Sequence, residues 1–213
     1  MNKKDSNHSI SLPCLRGQVE DWIYYTTLLT YGEVSKRFKA AEEIHKHSTL
    51  NELIQRALTN RASEISDYII LQKQHFFNAI IAGIYEGEPN WLEIDIKNSP
   101  YKSADNIEGS IGVLHLTGYE KIFAIDGQHR VEGIKRATEN TSKHKDEEAV
   151  VIFVAHNGNK KGLERTRRLF STLNRYAKPV NLGEIIALDE DDSIAVITRQ
   201  LLYNHEFLKQ EMV

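Results

Sequence analysis

The stretch Phe123-Ala-Ile-Asp-Gly-Gln-His-Arg130 has the pattern of a strand that turns directly into a helix. Its apolar first half favours a β-strand, and Asp126-Gly127 is a typical turn signal, because glycine adopts positive φ angles without a steric penalty. Apolar residues then recur at helical spacing, at Val131, Ile134 and Ala137. The pattern predicts that Gly127–Arg130 lies where a strand gives way to the N-terminus of a helix.

The residues at this junction suit an anion such as phosphate. The first turn of a helix carries backbone N–H groups without intrahelical partners, together with the positive end of the helix dipole. Gly127 leaves room for close approach, so the backbone from Gly127 through Gln128 to His129 can hold a phosphate. The side chains of His129 and Arg130 add donors, and arginine bonds two phosphate oxygens at once. These four residues are therefore the predicted phosphate- or nucleotide-binding residues.

Asp126 is the candidate catalytic residue of the loop. As an anion it cannot bind phosphate alone, but it can orient His129 or Arg130, accept a hydroxyl proton, or hold a metal ion that bridges the phosphate. The alternative interpretation is structural: Asp126 caps the helix, Gly127 makes the turn, and the next residues are solvated. Spacing alone favours this second interpretation, because short motifs often match by chance.

The stretch 157–178 carries the strongest local charge excess of the chain. It holds seven Lys or Arg residues against one acid, Glu164, in a chain whose net charge is −3. A helix is predicted over Leu163–Asn174, and a phosphate-bearing partner is the natural inference. The alternative is a solvated helix face balanced by the acidic run Asp189–Asp192. Such a phosphate-bearing partner is a nucleic acid or a nucleotide, and the candidate residues for binding DNA or another nucleic acid are Lys160, Lys161, Arg165, Arg168 and Arg175.

Asn174 and Lys178, which are singled out by the family resemblance described below, carry groups that suit a nucleotide. Asn174 offers a carbonyl and an amide, which suit a ribose, a base edge or a bound ion, and Lys178 offers a mobile positive charge. Asn174 is equally suited to end a helix, because asparagine tolerates the left-handed conformation. We predict that Asn174 or Lys178 lies close enough to His129 and Arg130 to share one ligand.

The fold class predicted from the whole pattern is mixed α/β (α+β), a mixed sheet with flanking helices. An opening hairpin is expected, with Pro13 in an edge strand or at the entry of a strand, and with a turn at Arg16-Gly17-Gln18. Residues 61–71 favour a helix. The run Ala149–Ala155 is continuously apolar, which predicts a central strand buried on both faces.

Several classes of protein are excluded by composition. Cys14 is the only cysteine, so an internal disulfide and a multi-cysteine zinc site are excluded. His45 and His47 match no metal-ligand spacing, and no metal site is predicted. The N-terminus lacks the apolar stretch of a signal peptide, and the run Phe76–Tyr85 is too short to span a bilayer. A cytoplasmic protein without a membrane partner is expected, and its oligomeric state stays open.

Asp-Gly-Gln-His-Arg resembles the signature of the DGQHR-domain proteins, and in particular of the DndB branch, which is associated with DNA phosphorothioation gene clusters. Two other stretches carry the resemblance. Phe170–Val180 has an Asn followed by Lys178-Pro179 at the spacing of the family, and Leu12–Gly17 precedes the pair Tyr24-Tyr25 as in DndB proteins. The resemblance therefore touches residues 12–25, 123–134 and 170–180, which are spread over most of the chain.

The resemblance implies a ParB/sulfiredoxin-like core in which the equivalent loop contacts nucleotide phosphates. It implies a DNA-binding transcriptional repressor of its own gene cluster, with DNA as a partner and ATP or another nucleotide with Mg²⁺ as a cofactor. The related alternative is an enzyme, a nucleotide-binding phosphohydrolase or phosphotransferase. A third interpretation is a structural module whose loop only caps a helix.

Three regions are expected along the chain. Residues 1–8 are predicted to be a disordered terminus, and residues 9–188 the DGQHR domain. Residues 189–213 are expected to begin a helical C-terminal region, because the family members that the chain resembles are longer.

Overall fold

A computed structural model describes residues 9–39, 61–95, 107–155, 160–175 and 192–205. The chain divides into two compact units, Met1–Leu173 and Asn174–Val213. The domain limits expected at residues 8 and 188 lie outside the described residues and stay predictions.

The described elements confirm the predicted mixed α/β fold. The strands are β1 Ile10–Val19, β2 Trp22–Thr30, β3 Ile80–Tyr85, β4 Asn90–Glu93, β5 Ile111–Leu116, β6 Lys121–Asp126 and β7 Glu148–Ala155. The helices are α1 Tyr31–Arg37, α2 at residues 61–71, α3 Gln128–Asn140, α4 Lys160–Arg175 and α5 Ser193–Asn204, with a 3-10 turn at Ser142–His144. No helix among these is long and apolar enough to cross a membrane.

The seven strands form one sheet in the order β4-β5-β1-β2-β7-β3-β6. All neighbouring strands are antiparallel except β3 and β7, which run parallel. β7 lies inside the sheet, and Val151 and Phe153 are fully buried on one face while Val154 is buried on the other. The prediction of a central strand covered on both faces is confirmed.

The opening hairpin is present, but its predicted turn is wrong. β1 runs unbroken through Arg16-Gly17-Gln18, and the chain turns at Glu20 and Asp21 instead. The predicted edge position of β1 is also wrong, since β1 lies between β5 and β2. The strand pairs with β5 over Ile10–Leu15 and with β2 from Leu15 onward. Pro13 is accommodated because it lies in the half of β1 that pairs on one side only.

Helices cover both faces of the sheet. On one face, α1, α2 and α3 pack on the strands in the main core, which includes Leu29, Val34, Ile69, Ile134 and Phe153. On the other face, Leu169 and Leu173 of α4 pack against a smaller cluster of Phe123, Ile125 and Val154. Alternate residues of β6 therefore belong to different clusters, as the two-residue period of a strand requires.

Candidate phosphate-binding loop and basic helix

The predicted strand–turn–helix junction is confirmed. Asp126 ends β6, and Gly127 is the residue that precedes the first turn of α3, with φ 90° and ψ 21°. The N–H of Val131 donates to the Gly127 carbonyl at 2.9 Å, which closes the first turn of the helix. Gly127, and not Asp126, holds the capping position, so the alternative in which the Asp126 carboxylate caps the helix is wrong. The left-handed backbone at this position explains the glycine.

Arg130 folds back onto the strand that precedes it. Its Nη2 donates to Asp126 Oδ2 at 2.7 Å, and its Nη1 donates to the carbonyl oxygens of Asn78 at 2.5 Å and Ala79 at 2.9 Å. Only 16% of the Arg130 side chain is exposed, against 41% for Asp126. Asn78 and Ala79 directly precede β3, the neighbour of β6 in the sheet. Arg130 therefore ties the beginning of β3 to the end of β6.

Gly127 also makes room for that guanidinium. A Cβ atom built on Gly127 would lie 3.0 Å from Arg130 Nη2 and 3.1 Å from its Cζ, closer than ordinary van der Waals contact. The open space at Gly127 thus holds a side chain of the chain itself. The structure shows a structural role for Arg130, whereas phosphate binding by Arg130 stays a prediction.

Gln128 and His129 occupy the first turn of α3 and are half-buried. The Gln128 side-chain amide donates to the carbonyl of Ala124 at 3.3 Å, which holds it against β6. Contact of either residue with a ligand stays a prediction.

The described part of α4 presents a charged face and a buried face. Lys161, Glu164 and Arg168 are exposed, whereas Gly162 and Thr166 are buried. Lys161 and Arg168 are seven residues apart, so two helical turns bring them to the same side of the helix. The predicted helix is confirmed, and its exposed cations are in a position to meet a partner.

Arg165 has a contact that the sequence did not reveal. Its guanidinium carbon lies 3.7 Å from the centre of the Trp22 ring, and its Nη2 donates to the carbonyl of Asp21. A cation over an aromatic face is attracted by the ring electrons, and the stacking here joins α4 to the β1–β2 hairpin. A tryptophan at the start of β2 was the available signal, but the sequence gives no reason to pair it with this arginine. DNA binding by Arg165 stays a prediction.

The strand registers place the start of α4 away from the loop. Ala155, which ends β7, is level with Ile84 of β3, and Ile84 is level with Ile122 at the start of β6. Asp126 is level with Ile81, nearer the opposite end of β3. Because α4 follows Ala155, its first turns begin at the end of the sheet away from Asp126. Farther along α4, Leu169 and Leu173 pack against the cluster that contains Ile125, the residue before Asp126.

The remaining candidate residues are not described in full. Lys160, Asn174 and Arg175 are helical, and their side chains lie outside the described part of the structure, as does Lys178 altogether. The shared ligand of Asn174 or Lys178 with His129 and Arg130 stays a prediction.

A second polar cluster was missed by sequence reasoning. His75, His144 and Glu147 meet beside Tyr31 at the start of α1, although 72 residues separate His75 from Glu147. Burial alone would raise the pKa of Glu147, but hydrogen bonds from His144 and His75 outweigh burial and hold the pKa below its ordinary value. Burial and the neighbouring Glu147 carboxylate raise the pKa of Tyr31 to about 12. The spacing His144–Glu147 is the only local signal of this cluster.

Comparison with known proteins gives one match. No curated protein and no solved structure matches the chain. The family described as DndB, DNA-sulfur modification-associated, matches residues 12–213. The matched range includes all seven strands from Leu12 onward, the loop at Asp126–Arg130 and the basic helix α4. A match of this extent shows that the chain belongs to the DndB family of DNA-sulfur modification-associated proteins.

Proposed function

We propose that the chain is a DNA-binding regulator, a transcriptional repressor of a DNA phosphorothioation gene cluster, and that α4 is its DNA-contacting helix. The observation that carries the proposal is the pair of exposed cations Lys161 and Arg168 on one side of α4. They belong to a stretch with seven cations and one acid, in a chain that is otherwise net negative. Lys and Arg side chains that neutralise DNA phosphates release counterions, and this release drives association.

Arg165 has a positioning role in this proposal. Its stack on Trp22 fixes α4 against the β1–β2 hairpin, so that Lys161 and Arg168 are presented from a rigid helix rather than from a loop. Contacts to phosphates position a protein on a duplex without reading its sequence. Sequence preference in this proposal therefore comes from residues other than these two cations.

Replacing Lys161 and Arg168 together by alanine should weaken binding to every DNA sequence alike. Each lost phosphate contact should reduce the slope of log affinity against log salt by about 0.9, or roughly 1.8 for the pair. The measurement is a salt titration of fluorescence anisotropy, with one duplex from the promoter of the cluster and one unrelated duplex. The matched control replaces Lys36 and Lys143, two exposed lysines elsewhere in the chain. If the Lys161/Arg168 variant kept the affinity and the slope of the wild type, the exposed face of α4 would not contact DNA, and the proposal would be overturned.

A second function, nucleotide binding at Asp126–Arg130, is favoured by the geometry of Gly127. The left-handed residue opens α3 without a side-chain cap, and the neighbouring Asp126 carboxylate is 41% exposed. We assign this loop to the DGQHR signature and the sheet to a ParB/sulfiredoxin-like core. ATP or another nucleotide would bind through the backbone of the first turn, and Asp126 would hold Mg²⁺ or act as the base of a phosphohydrolase or phosphotransferase.

Nucleotide binding should depend on Gly127. We expect Gly127→Ala to bind ATP–Mg²⁺ at least tenfold more weakly than the wild type, because the added methyl group would press on the Arg130 guanidinium and alanine is strained at this positive φ, so the first turn would shift. The measurement is isothermal titration calorimetry, with release of phosphate as a second readout. Gly109→Ala is the matched control, since Gly109 also has a positive φ of 76° but its added Cβ would meet nothing within 3.8 Å. Wild-type protein that binds no nucleotide at millimolar concentration would remove this second function.

A further inference from the structure

We propose that His75, His144 and Glu147 form a binding site for a divalent transition-metal ion, with Zn²⁺ as the best fit. Two imidazole nitrogens and a carboxylate oxygen are a ligand set that zinc uses in proteins. One ligand atom from each of the three residues lies within 4.8 Å of the others. The site shares no residue with the loop or with α4, and it does not depend on the proposed DNA or nucleotide binding.

The distances within the cluster are short enough for a shared ion. Glu147 Oε2 lies 2.6 Å from His75 Nε2, and Glu147 Oε1 lies 2.7 Å from His144 Nδ1. Tetrahedral zinc with bonds of about 2.0–2.1 Å would set such atoms roughly 3.3 Å apart. Metal ligation therefore requires the Glu147 carboxylate to move back from the rings and the two imidazole nitrogens, now no more than 4.8 Å apart, to lie at this tetrahedral spacing.

The hydrogen bonding of His75 is the observation that points to a cation. Its Nδ1 lies 2.9 Å from the carbonyl oxygen of Gln72, which can only accept, so Nδ1 carries a proton. Its Nε2 faces the Glu147 carboxylate, which in its ionised form is also an acceptor. At 2.6 Å this second contact holds a proton between the two atoms, and a metal ion would replace that proton once the carboxylate had moved back. A ligating histidine that donates its other N–H to a backbone carbonyl is the usual arrangement at metal sites.

The surroundings of the cluster suit a metal with one open position. The side chains of His144 and His75 are only 6% and 9% exposed, whereas that of Glu147 is 38% exposed. This exposure admits water as a fourth ligand. Aromatic rings within 6.3 Å shield His75, namely those of Tyr31, Tyr68 and Phe77.

The ion would join segments that are distant in the sequence. His75 follows α2, His144 ends the 3-10 turn after α3, and Glu147 directly precedes β7. The start of α1 is attached to the same place, because the N–H of Tyr31 donates to the Glu147 carbonyl at 2.7 Å. A metal ion here would therefore act mainly as a structural link, and its binding would stabilise the folded state.

The test uses the whole chain without a histidine tag, freed of metal by a chelator. We expect the wild type to take up one equivalent of Co²⁺ with the visible absorption of a tetrahedral site, and Zn²⁺ to displace it. Zn²⁺ should also raise the unfolding temperature of the wild type. His75→Ala should lose the Co²⁺ absorption, and Glu147→Gln should bind at least tenfold more weakly.

His115→Ala is the matched control, because His115 is half-buried in β5 and bonds to Ser11, away from the cluster. It should bind Co²⁺ like the wild type. Wild-type protein without stoichiometric Co²⁺ uptake overturns the proposal, whatever the variants do, and leaves a proton-bridged histidine–carboxylate cluster. Unchanged uptake in folded Glu147→Gln, checked by circular dichroism, also overturns the proposal by moving the ion elsewhere.

Discussion

Arg130→Ala should lower the free energy of unfolding by about 3 kcal/mol. The substitution removes the bonds to the carbonyl oxygens of Asn78 and Ala79 and the ion pair with Asp126. A buried polar group that loses its partner costs roughly 1–3 kcal/mol, and removing one member of a fully buried ion pair costs more. Because Asp126 is 41% exposed, solvent screens part of that loss. Urea denaturation followed by circular dichroism measures the change.

Arg136→Ala is the matched control for this prediction. Arg136 lies in the same helix and also bonds a carboxylate four residues before it, that of Glu132, but both side chains are more evenly exposed, at 31% and 40%. Exposed pairs of this kind contribute about 1 kcal/mol or less. If Arg130→Ala destabilised the chain no more than Arg136→Ala, the role of Arg130 in joining β3 to β6 would have to be abandoned.

Glu120→Gln should lower the free energy of unfolding by about 2 kcal/mol at neutral pH. Glu120 as a residue is 9% exposed, and its carboxylate accepts three hydrogen bonds at 2.8 Å, from the N–H and hydroxyl of Thr117 and from the N–H of Gly118. Hydrogen bonds to charged groups contribute roughly 1.5–3 kcal/mol, and the neutral amide keeps only part of this. Thermal unfolding of both proteins measures the difference.

The effect of Glu120 should also depend on pH. Burial alone would raise the pKa of Glu120, but the hydrogen bonds from Thr117 and Gly118 outweigh burial and lower the pKa from its usual 4.5. A carboxylate with a lowered pKa in the folded state contributes stability above its unfolded pKa, and that contribution is lost as the pH falls through the folded pKa. The difference between the wild type and Glu120→Gln should therefore be full above pH 4.5 and shrink below it.

Glu86→Gln is the control for the pH profile, because Glu86 is 53% exposed and its pair with Lys121 is solvated. It should change stability by about 1 kcal/mol or less at any pH. A difference for Glu120→Gln that stays constant down to strongly acidic pH would show that the lost bonds do not depend on the charge of the carboxylate.

The junction at Asp126–Arg130 could be predicted because its signals are local. A β-prone run, a glycine and a helical period lie within a few residues of one another, and the two-residue and 3.6-residue periods are easily told apart. The central strand β7 was predicted for the same reason. Local composition also produced the wrong turn at Gly17. Gly17 lies inside β1, opposite Tyr24 of β2. The position suits glycine because the Tyr24 ring fills the space that a side chain would take: a Cβ on Gly17 would lie 2.3 Å from Tyr24 Cζ.

The partners of the site residues could not be predicted, because they come from distant parts of the chain. Arg130 bonds carbonyls more than 50 residues away, and backbone carbonyls leave no mark in a sequence. Arg165 meets Trp22 because α4 docks on the β1–β2 hairpin, whose Asp21 carbonyl lies 144 residues before Arg165 in the sequence. The cluster of His75 and Glu147 has the same origin, since only the folded sheet brings the two segments together.

The contact between Gly127 and Arg130 bears on how the sequence Asp-Gly-Gln-His-Arg should be interpreted in another protein. Position 127 requires glycine because its backbone is left-handed and because the Arg130 guanidinium lies against it. Position 130 requires arginine because the side chain must reach the carbonyls that precede β3. Aspartate in turn balances the arginine charge. Selection for folding alone could thus keep Asp-Gly and Arg at this spacing in a lineage that has lost every ligand. Gln128 bonds the Ala124 carbonyl in the fold, so under the proposed nucleotide function His129 is the residue between them whose divergence among relatives would report a change of ligand.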